Sequence, residues 1–135
     1  MWMLDTDICI ALIKRQPREL IAKLRKHQPG EVAISSITLA ELHFGVAKSQ
    51  QREKNRAALD QFLLPLEILP FDDVSSESYG RVRAALEADG TPIGPLDTLI
   101  ASHALSINAT IVTNNVPEFA RVRGLRAQNW MDEQS

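Results

Sequence analysis

Four oxygen-bearing side chains stand just after an apolar strand-like run or near the start of a helix-like run. They are Asp5 in MLDTD, Glu41 in ISSITLAEL, Asp97 in IGPLDTLIASHA and Asn115 in IVTNN. Because ligands of parallel α/β sheets bind beyond the carboxyl ends of the strands, we expect these side chains to converge there. An oxygen-lined pocket is what a hard divalent cation requires. The pattern therefore predicts a metal site assembled from distant segments.

Each of these positions also has a purely structural explanation. An anion in the first turn of a helix is stabilised by the free N–H groups, which would account for Asp5 and Asp97. Capping boxes would account for the other two, with a threonine three residues before Glu41 and a glutamate three residues after Asn115. Two observations favour a site: Glu41 lies among apolar residues, where a carboxylate needs a partner, and Asp7 adds a second charge beside Asp5 that a cap does not need.

The composition is that of one ordinary globular domain over residues 1–135, with 44% hydrophobic and 24% charged residues. A formal net charge of −2 gives no general electrostatic argument for nucleic acid. Charge is nevertheless uneven, since residues 1–30 hold six Lys/Arg and three acids, whereas residues 67–97 hold seven acids and two Arg. A polyanionic substrate meeting a metal site fits this distribution, and two solvated helix faces of opposite sign fit it as well.

The single cysteine, Cys9, excludes a disulfide framework and favours a reducing compartment. It stands in an apolar run, so we expect a buried thiol rather than a nucleophile. The first residues do not form a signal peptide, and no apolar run approaches the ~20 residues of a membrane span. These features predict a cytoplasmic protein.

Apolar strand-like runs alternate with helix-like runs along the chain, which predicts the α/β class: a parallel sheet with helices on both faces. The predicted strands are 2–4, 32–34, 67–69, 110–112 and 125–128. The predicted helices start near residues 6, 17, 36, 57, 74, 96 and 118. The polar stretch KSQQREKNR is predicted to separate the third helix from the fourth.

Other chemistries find little support. The three histidines, His27, His43 and His103, match no zinc-ligand spacing. His43 and His103 are expected at the surface or supporting the site. The chain contains no P-loop, no G-x-S-x-G and no G-x-G-x-x-G motif, so neither a hydrolase triad nor a nucleotide cofactor is indicated.

Taken in order, the runs MLDTDICIALIK, ISSITLAELHFGVAKS, GTPIGPLDTLIASHA and IVTNNVPEFARVRGLRAQNW resemble PIN-domain ribonucleases, and more closely the VapC toxins of VapBC toxin–antitoxin pairs. The resemblance covers nearly the whole chain. It implies a three-layer α/β/α fold with a central, mainly parallel sheet of about five strands. It also implies an endoribonuclease dependent on Mg²⁺ or Mn²⁺ that cuts structured RNA, such as tRNA or rRNA, with activated water and thereby inhibits translation and growth.

The same resemblance assigns roles to residues. Asp5, Glu41 and Asp97 would bind the metal, and Asn115 would stand where many relatives carry a fourth acid. With an amide there, whether one ion or two bind is left open. Supporting roles would fall to Asp7 and Thr113, and backbone phosphates would meet the basic side chains of the first two helices: Lys14, Arg15, Lys23, Arg25 and Lys26.

A small antitoxin would inhibit the enzyme by laying a helix and an extended arm into an apolar groove beside the active site. The candidate groove walls are Phe44, Leu59, Phe62 and Leu63, which core packing would explain equally well. A homodimer is also expected from the resemblance.

Two other classes of protein compete with this interpretation. A receiver-type signalling domain also has an acidic Mg²⁺ pocket, but it needs a phospho-acceptor Asp after the third strand and a Lys after the last long strand. Here Pro70 and Phe71 precede Asp72, and IVTNN contains no Lys. The second competitor is a PIN-like interaction protein whose catalysis has lapsed; the amide at Asn115 favours it and the three intact acids oppose it. Metal-dependent cleavage of tRNA would separate these readings.

Overall fold

Strands and helices alternate through residues 1–131, the part of the chain that the computed structural model describes. The five strands are β1 (Trp2–Leu4), β2 (Val32–Ser35), β3 (Glu67–Leu69), β4 (Thr110–Val112) and β5 (Arg126–Gln128). The seven helices in this range are α1 (Thr6–Lys14), α2 (Arg18–Arg25), α3 (Ser36–Ala47), α4 (Arg52–Leu63), α5 (Asp73–Ala88), α6 (Pro95–Ser106) and α7 (Val116–Phe119). None of the helices formed by these residues is long and apolar enough to cross a membrane.

The five strands form one sheet in the order β3-β2-β1-β4-β5, and every neighbouring pair is parallel. In the central strand β1, Met3 lies opposite Ala33 of β2 and Ile111 of β4. The chain adds β2 and β3 on one side of β1 and then returns to add β4 and β5 on the other. The strand order therefore reverses at β1, and a ligand site is expected at the carboxyl ends of β1 and its neighbours.

Hydrophobic side chains pack on both faces of this sheet. Because successive strand residues point to opposite faces, Leu4 and Val112 belong to one core cluster and Met3 and Ile111 to the other. The first cluster lies beneath α1 to α4, and the second beneath α5 to α7. The predicted three-layer α/β/α fold with a parallel sheet of five strands is confirmed.

Two helices differ from their predicted bounds. Helix α4 begins at Arg52 rather than Ala57, so the polar stretch is partly helical. Arg, Glu and Lys are strong helix formers, and on an exposed face their polarity does not oppose the helix. Helix α7 spans Val116–Phe119 rather than 118–121, because Pro117 is well suited to a first helical turn.

His103 is buried, which excludes the surface, one of the two places expected for it, and leaves the other, a supporting role. Its Nδ1 lies 2.8 Å from the Oγ of Ser35, and its ring meets that of Phe71 edge-on. Burial lowers the pKa of His103, so the ring is neutral at pH 7. Ser35 is also the N-cap of α3, accepting a hydrogen bond from the N–H of Ile37. His103 thus ties α6 to the start of α3. Cys9 is buried as expected, and burial raises the pKa of its thiol.

Candidate metal centre at the carboxyl edge of the sheet

Asp5 follows the last residue of β1 and is almost fully buried. Its N–H donates to the carbonyl of Val112, and its Oδ1 caps α1 by accepting from the N–H of Ile8 at 2.8 Å. Burial raises the pKa of Asp5 to about 6, although hydrogen bonds from Thr113 and Ile8 oppose the shift. Besides this cap, the carboxylate hydrogen-bonds the side chain of Thr113 and senses the charges of Asp7 and Glu118. The structural role and a role in a site are therefore compatible.

Glu41 lies in the second turn of α3 and turns toward α1. Its Oε1 accepts a hydrogen bond from the hydroxyl of Thr6 at 2.8 Å. The Thr6 hydroxyl is also 3.2 Å from that of Thr38, which is fully buried. Because Ser35 and not Thr38 is the N-cap of α3, the capping-box explanation of Glu41 is wrong. Two threonines instead fix the carboxylate beside the first turn of α1.

Asp97 stands in the first turn of α6, after Gly94 as N-cap and Pro95 as first residue. Its side chain is half-buried, and its pKa is raised to about 7. Burial is the main cause, and the charges of Glu118, Asp5 and Asp7 add to it. Two separate acidic segments therefore act electrostatically on this one carboxyl group.

Glu118 is an acid of the site that the sequence did not reveal as one. Its Oε1 accepts from the N–H of Gly94 at 3.1 Å, and its Oε2 accepts from Nδ2 of Asn115 at 2.7 Å. Its charge helps raise the pKa of both Asp5 and Asp97. The fourth carboxylate is thus that of Glu118, in α7. Asn115, three residues earlier, was predicted to stand at the fourth position of the site.

Asn115 is exposed and holds Glu118 rather than lining the cleft. It occupies the N-cap position of α7 but makes no side-chain cap, so the capping-box explanation is wrong here also. Its own N–H is held by the hydroxyl of Thr113 at 2.9 Å. The signal that could have identified Glu118 was the position of α7 itself, directly after a buried strand.

The side chains of α1, α3 and α6 line a cleft of about 330 Å³ at this edge of the sheet. Asp7, Glu41 and Asp97 face it, and no Lys, Arg, His or Cys is among its lining residues. The donors are oxygens, and burial, followed by the charges of neighbouring acids, raises the pKa of both Asp5 and Asp97. The chemistry of this donor set fits a hard divalent cation.

In this structure, the described carboxylates are not arranged to bind one ion together. Within residues 1–131, no three Asp, Glu, His or Cys side chains are close enough to hold one ion together. Thr6 holds Glu41 on one side of the cleft, and Gly94 and Asn115 hold Glu118 on the other. Side-chain rotation across the cleft would be needed to bring three oxygens onto a single cation.

A longer groove of about 690 Å³ begins at Thr6 and Glu41 and runs between α1, α3 and α4. Of the predicted groove walls, Phe44 and Leu59 line it. Phe62 and Leu63 instead pack against the first core cluster. For these two residues, core packing, the alternative to a role as groove walls, is therefore correct. The side chain of Lys14 lines the groove together with Lys48 and Lys54.

The other four predicted phosphate contacts line neither the cleft nor the groove. Arg25 and Lys26 precede His27, whose ring packs against Trp2 at the start of β1, the end of that strand opposite Asp5. Arg15 and Lys23 lie at the end of α1 and within α2. Of the five basic side chains, Lys14 is best placed to meet a ligand in the cleft.

This sheet order and an acidic cleft at the carboxyl ends of its strands define a class of α/β protein with a candidate metal site. The family model for the PIN domain matches residues 2–125. The chain is 43% identical to the tRNA(fMet)-specific endonuclease VapC of Shigella flexneri, covering 96% of this chain and 97% of that protein. It is 47% identical to ribonuclease VapC2 of Rickettsia felis, with the same coverage.

Solved structures similar to this chain belong to the same family as these relatives. The crystal structure of VapBC2 from Rickettsia felis bound to a DNA fragment from their promoter superposes with a TM-score of 0.91 at 45% identity, covering 96% of this chain and 98% of that one. The chain belongs to the PIN-domain family, among its VapC ribonucleases.

Proposed function

We propose that this protein is a divalent-metal-dependent endoribonuclease, the toxin of a type II toxin–antitoxin pair. The observation that carries the proposal is that acids from α1, α3 and α6 line one cleft, namely Asp7, Glu41 and Asp97. Burial raises the pKa of Asp97 to about 7, and the charges of Glu118, Asp5 and Asp7 add to the shift. Such electrostatic crowding is unfavourable in a protein without a ligand and is relieved by a cation. The names of the relatives support ribonuclease activity.

Asp5, Glu41, Asp97 and Glu118 would hold Mg²⁺, or Mn²⁺ in its place. The bound cation would supply an acidified water and neutralise charge on the attacked phosphate. The residues of the chain fix the geometry: Thr6 aims Glu41, and Asn115 together with Gly94 aims Glu118. Hydrogen bonds to ligating carboxylates of this kind are often nearly as important as the ligands.

The nucleophile would be water, because within residues 1–131 the cleft is lined by no histidine, cysteine or lysine, and its one hydroxyl in that range, on Thr6, donates to Glu41. Water would add its hydroxide to phosphorus while the 3′-oxygen leaves and takes up a proton. The products would be a 5′-phosphate and a 3′-hydroxyl. No covalent intermediate with the protein is formed.

The substrate is structured RNA of the tRNA or rRNA class, and its cleavage would inhibit translation and growth. A relative named as a tRNA(fMet)-specific endonuclease makes tRNA the first substrate to test. The solved VapBC neighbours support a VapB-type antitoxin as partner. We further propose that the protein acts in the cytoplasm as a homodimer.

Cleavage of total tRNA by the purified protein, with Mg²⁺, with Mn²⁺ and with EDTA, tests the proposal. Discrete cleavage is expected with either ion and none with EDTA. Asp5→Asn is a sharp variant because asparagine also caps helices, so loss of cleavage would report on the site rather than on folding. Asp97→Asn and Glu118→Gln should also abolish cleavage, while Glu77→Gln, at an exposed position on α5, should not.

An interaction protein with lapsed catalysis is the alternative, and the absence of three ligating side chains around one point within the described range favours it. Tight binding of a co-expressed antitoxin with no cleavage of any RNA under any metal would support that alternative. Cleavage that persists in EDTA would contradict the proposed metal dependence.

A further inference from the structure

Phe44 is the only phenylalanine, tyrosine or tryptophan exposed to solvent within residues 1–131, with 64% of its surface accessible. A single exposed apolar side chain needs no explanation, but an exposed ring that lines a groove together with the exposed Ile10 marks a candidate surface for a ligand or partner. The ring lines the 690 Å³ groove that begins at Glu41. Phe44 and Glu41 are three residues apart on α3, so they lie on one helix face.

A positive charge accompanies this ring. The Nζ of Lys48 lies 5.0 Å from the centroid of Phe44, one turn further along α3. Lys14 and Lys54 line the same groove, and among residues 1–131 Glu41 is its one acidic lining residue. Three positive charges against one negative charge favour a polyanion over an uncharged peptide.

Gly45 adds an independent observation. A glycine inside a helix costs roughly 0.5–1 kcal/mol relative to alanine. A Cβ at this position would meet no atom within 4 Å, so internal packing does not require the glycine. Gly45 lines the groove beside Phe44 and leaves open space there for an object that approaches the helix closely.

We propose that Phe44, Gly45 and Lys48 form a stacking platform for an unpaired nucleobase of the RNA substrate, next to the cleaved bond. This inference rests on the proposed ribonuclease function and names residues of this chain that would position the RNA beside the cut. The base stacks on the exposed face of Phe44 beside Gly45. Lys48 meets the adjoining phosphate, and the backbone continues toward Glu41 and the acidic cleft. Aromatic stacking of this kind accepts any base, so the platform supplies affinity and position rather than sequence selection.

The test is binding of a stem-loop RNA that carries a fluorescent adenine analogue at single loop positions, measured in EDTA so that the RNA stays intact. Wild-type protein should quench the analogue at one loop position. Phe44→Leu should weaken binding roughly tenfold and remove the quenching, whereas Phe44→Tyr should keep both. Lys48→Ala should weaken binding and reduce the slope of affinity against salt by about one charge. Leu64→Ala, which changes an exposed apolar residue outside the groove, should leave binding unchanged.

Gly45→Met separates binding from folding. Methionine is a good helix former, so this variant should melt at a higher temperature than wild type, and its side chain should lie across the platform and weaken RNA binding several-fold. Wild-type RNA binding by Phe44→Leu together with weakened capture of the antitoxin would overturn the proposal and assign the groove to the protein partner alone. Position-specific quenching by a protein that never cleaves RNA would refute the proposed nuclease while leaving the platform intact.

Discussion

Replacing Asp97 with asparagine should make the metal-free protein more stable while removing its activity. Burial raises the pKa of this carboxyl group from 3.8 to about 7, and the charges of Glu118, Asp5 and Asp7 add to the shift. An acid whose pKa is higher in the folded protein than in the unfolded chain destabilises the fold once it ionises. The cost is absent below pH 3.8, grows as the pH rises to about 7 and stays constant above it.

The size of the effect follows from competing terms. One pKa unit corresponds to about 1.4 kcal/mol, so the shift of Asp97 would cost about 4 kcal/mol if unscreened, and roughly 1–2 kcal/mol once its half-exposure to solvent is taken into account. The variant also loses the interaction of a carboxylate with the first turn of α6, about 0.5 kcal/mol. Asp97→Asn should therefore gain about 1 kcal/mol at pH 8, or about 3 °C in melting temperature.

Urea and thermal unfolding in EDTA, at pH 8 and at pH 4, measure this gain. The stabilisation should be present at pH 8 and nearly absent at pH 4, and Glu77→Gln on the exposed face of α5 should show neither change. Added Mg²⁺ should raise the melting temperature of the wild type more than that of Asp97→Asn. A variant that is less stable than wild type at pH 8, or equally stabilised at both pH values, would show that the acids do not destabilise one another.

Two further predictions concern hydrogen bonds around the cleft, and a third concerns the buried His103. Asn115→Ala should slow RNA cleavage roughly tenfold without abolishing it, because Glu118 loses one of its two hydrogen-bond donors. Single-turnover cleavage rates would measure this loss. A loss as complete as that of Glu118→Gln would contradict a positioning role for Asn115. Thr6→Val should weaken Mg²⁺ binding by freeing Glu41, while Thr6→Ser keeps the donor and should behave as wild type in a metal titration. Burial lowers the pKa of His103, so the neutral ring should stabilise the fold above about pH 6.5 and progressively less as the pH falls below that value. The urea midpoints of wild type and His103→Gln should therefore converge in acid. A constant difference between the two midpoints would refute a buried, neutral His103.

Much of the fold follows from local patterns in the sequence. The β-branched run Thr110–Val112 and the apolar run Trp2–Leu4 are strands with the predicted bounds. Their alternation with amphipathic helices predicted a parallel sheet with two covered faces. The start of α4 could not be predicted in this way, since residues 52–56 are polar and form a helix through intrinsic propensity rather than through burial.

The site was only partly predictable because side-chain direction depends on distant segments. Asp5 and Asp97 follow a strand and a helix start, and their position on the chain is enough to suggest that they converge. Glu118 and Asn115 are three residues apart, so the sequence alone suggested a capping box, which the structure does not form. Only the tertiary structure reveals that Gly94, from a different loop, turns Glu118 toward the cleft.

The position of β1 in the middle of the sheet has a consequence for synthesis of the protein. Asp5 is among the first residues made, yet its N–H is held by Val112 and its neighbour Glu118 comes later still. A nascent chain that stops before β4 leaves the central strand without one of its two partners and the cleft without its last acid. We therefore expect the proposed activity only from chains long enough to contain β4 and α7.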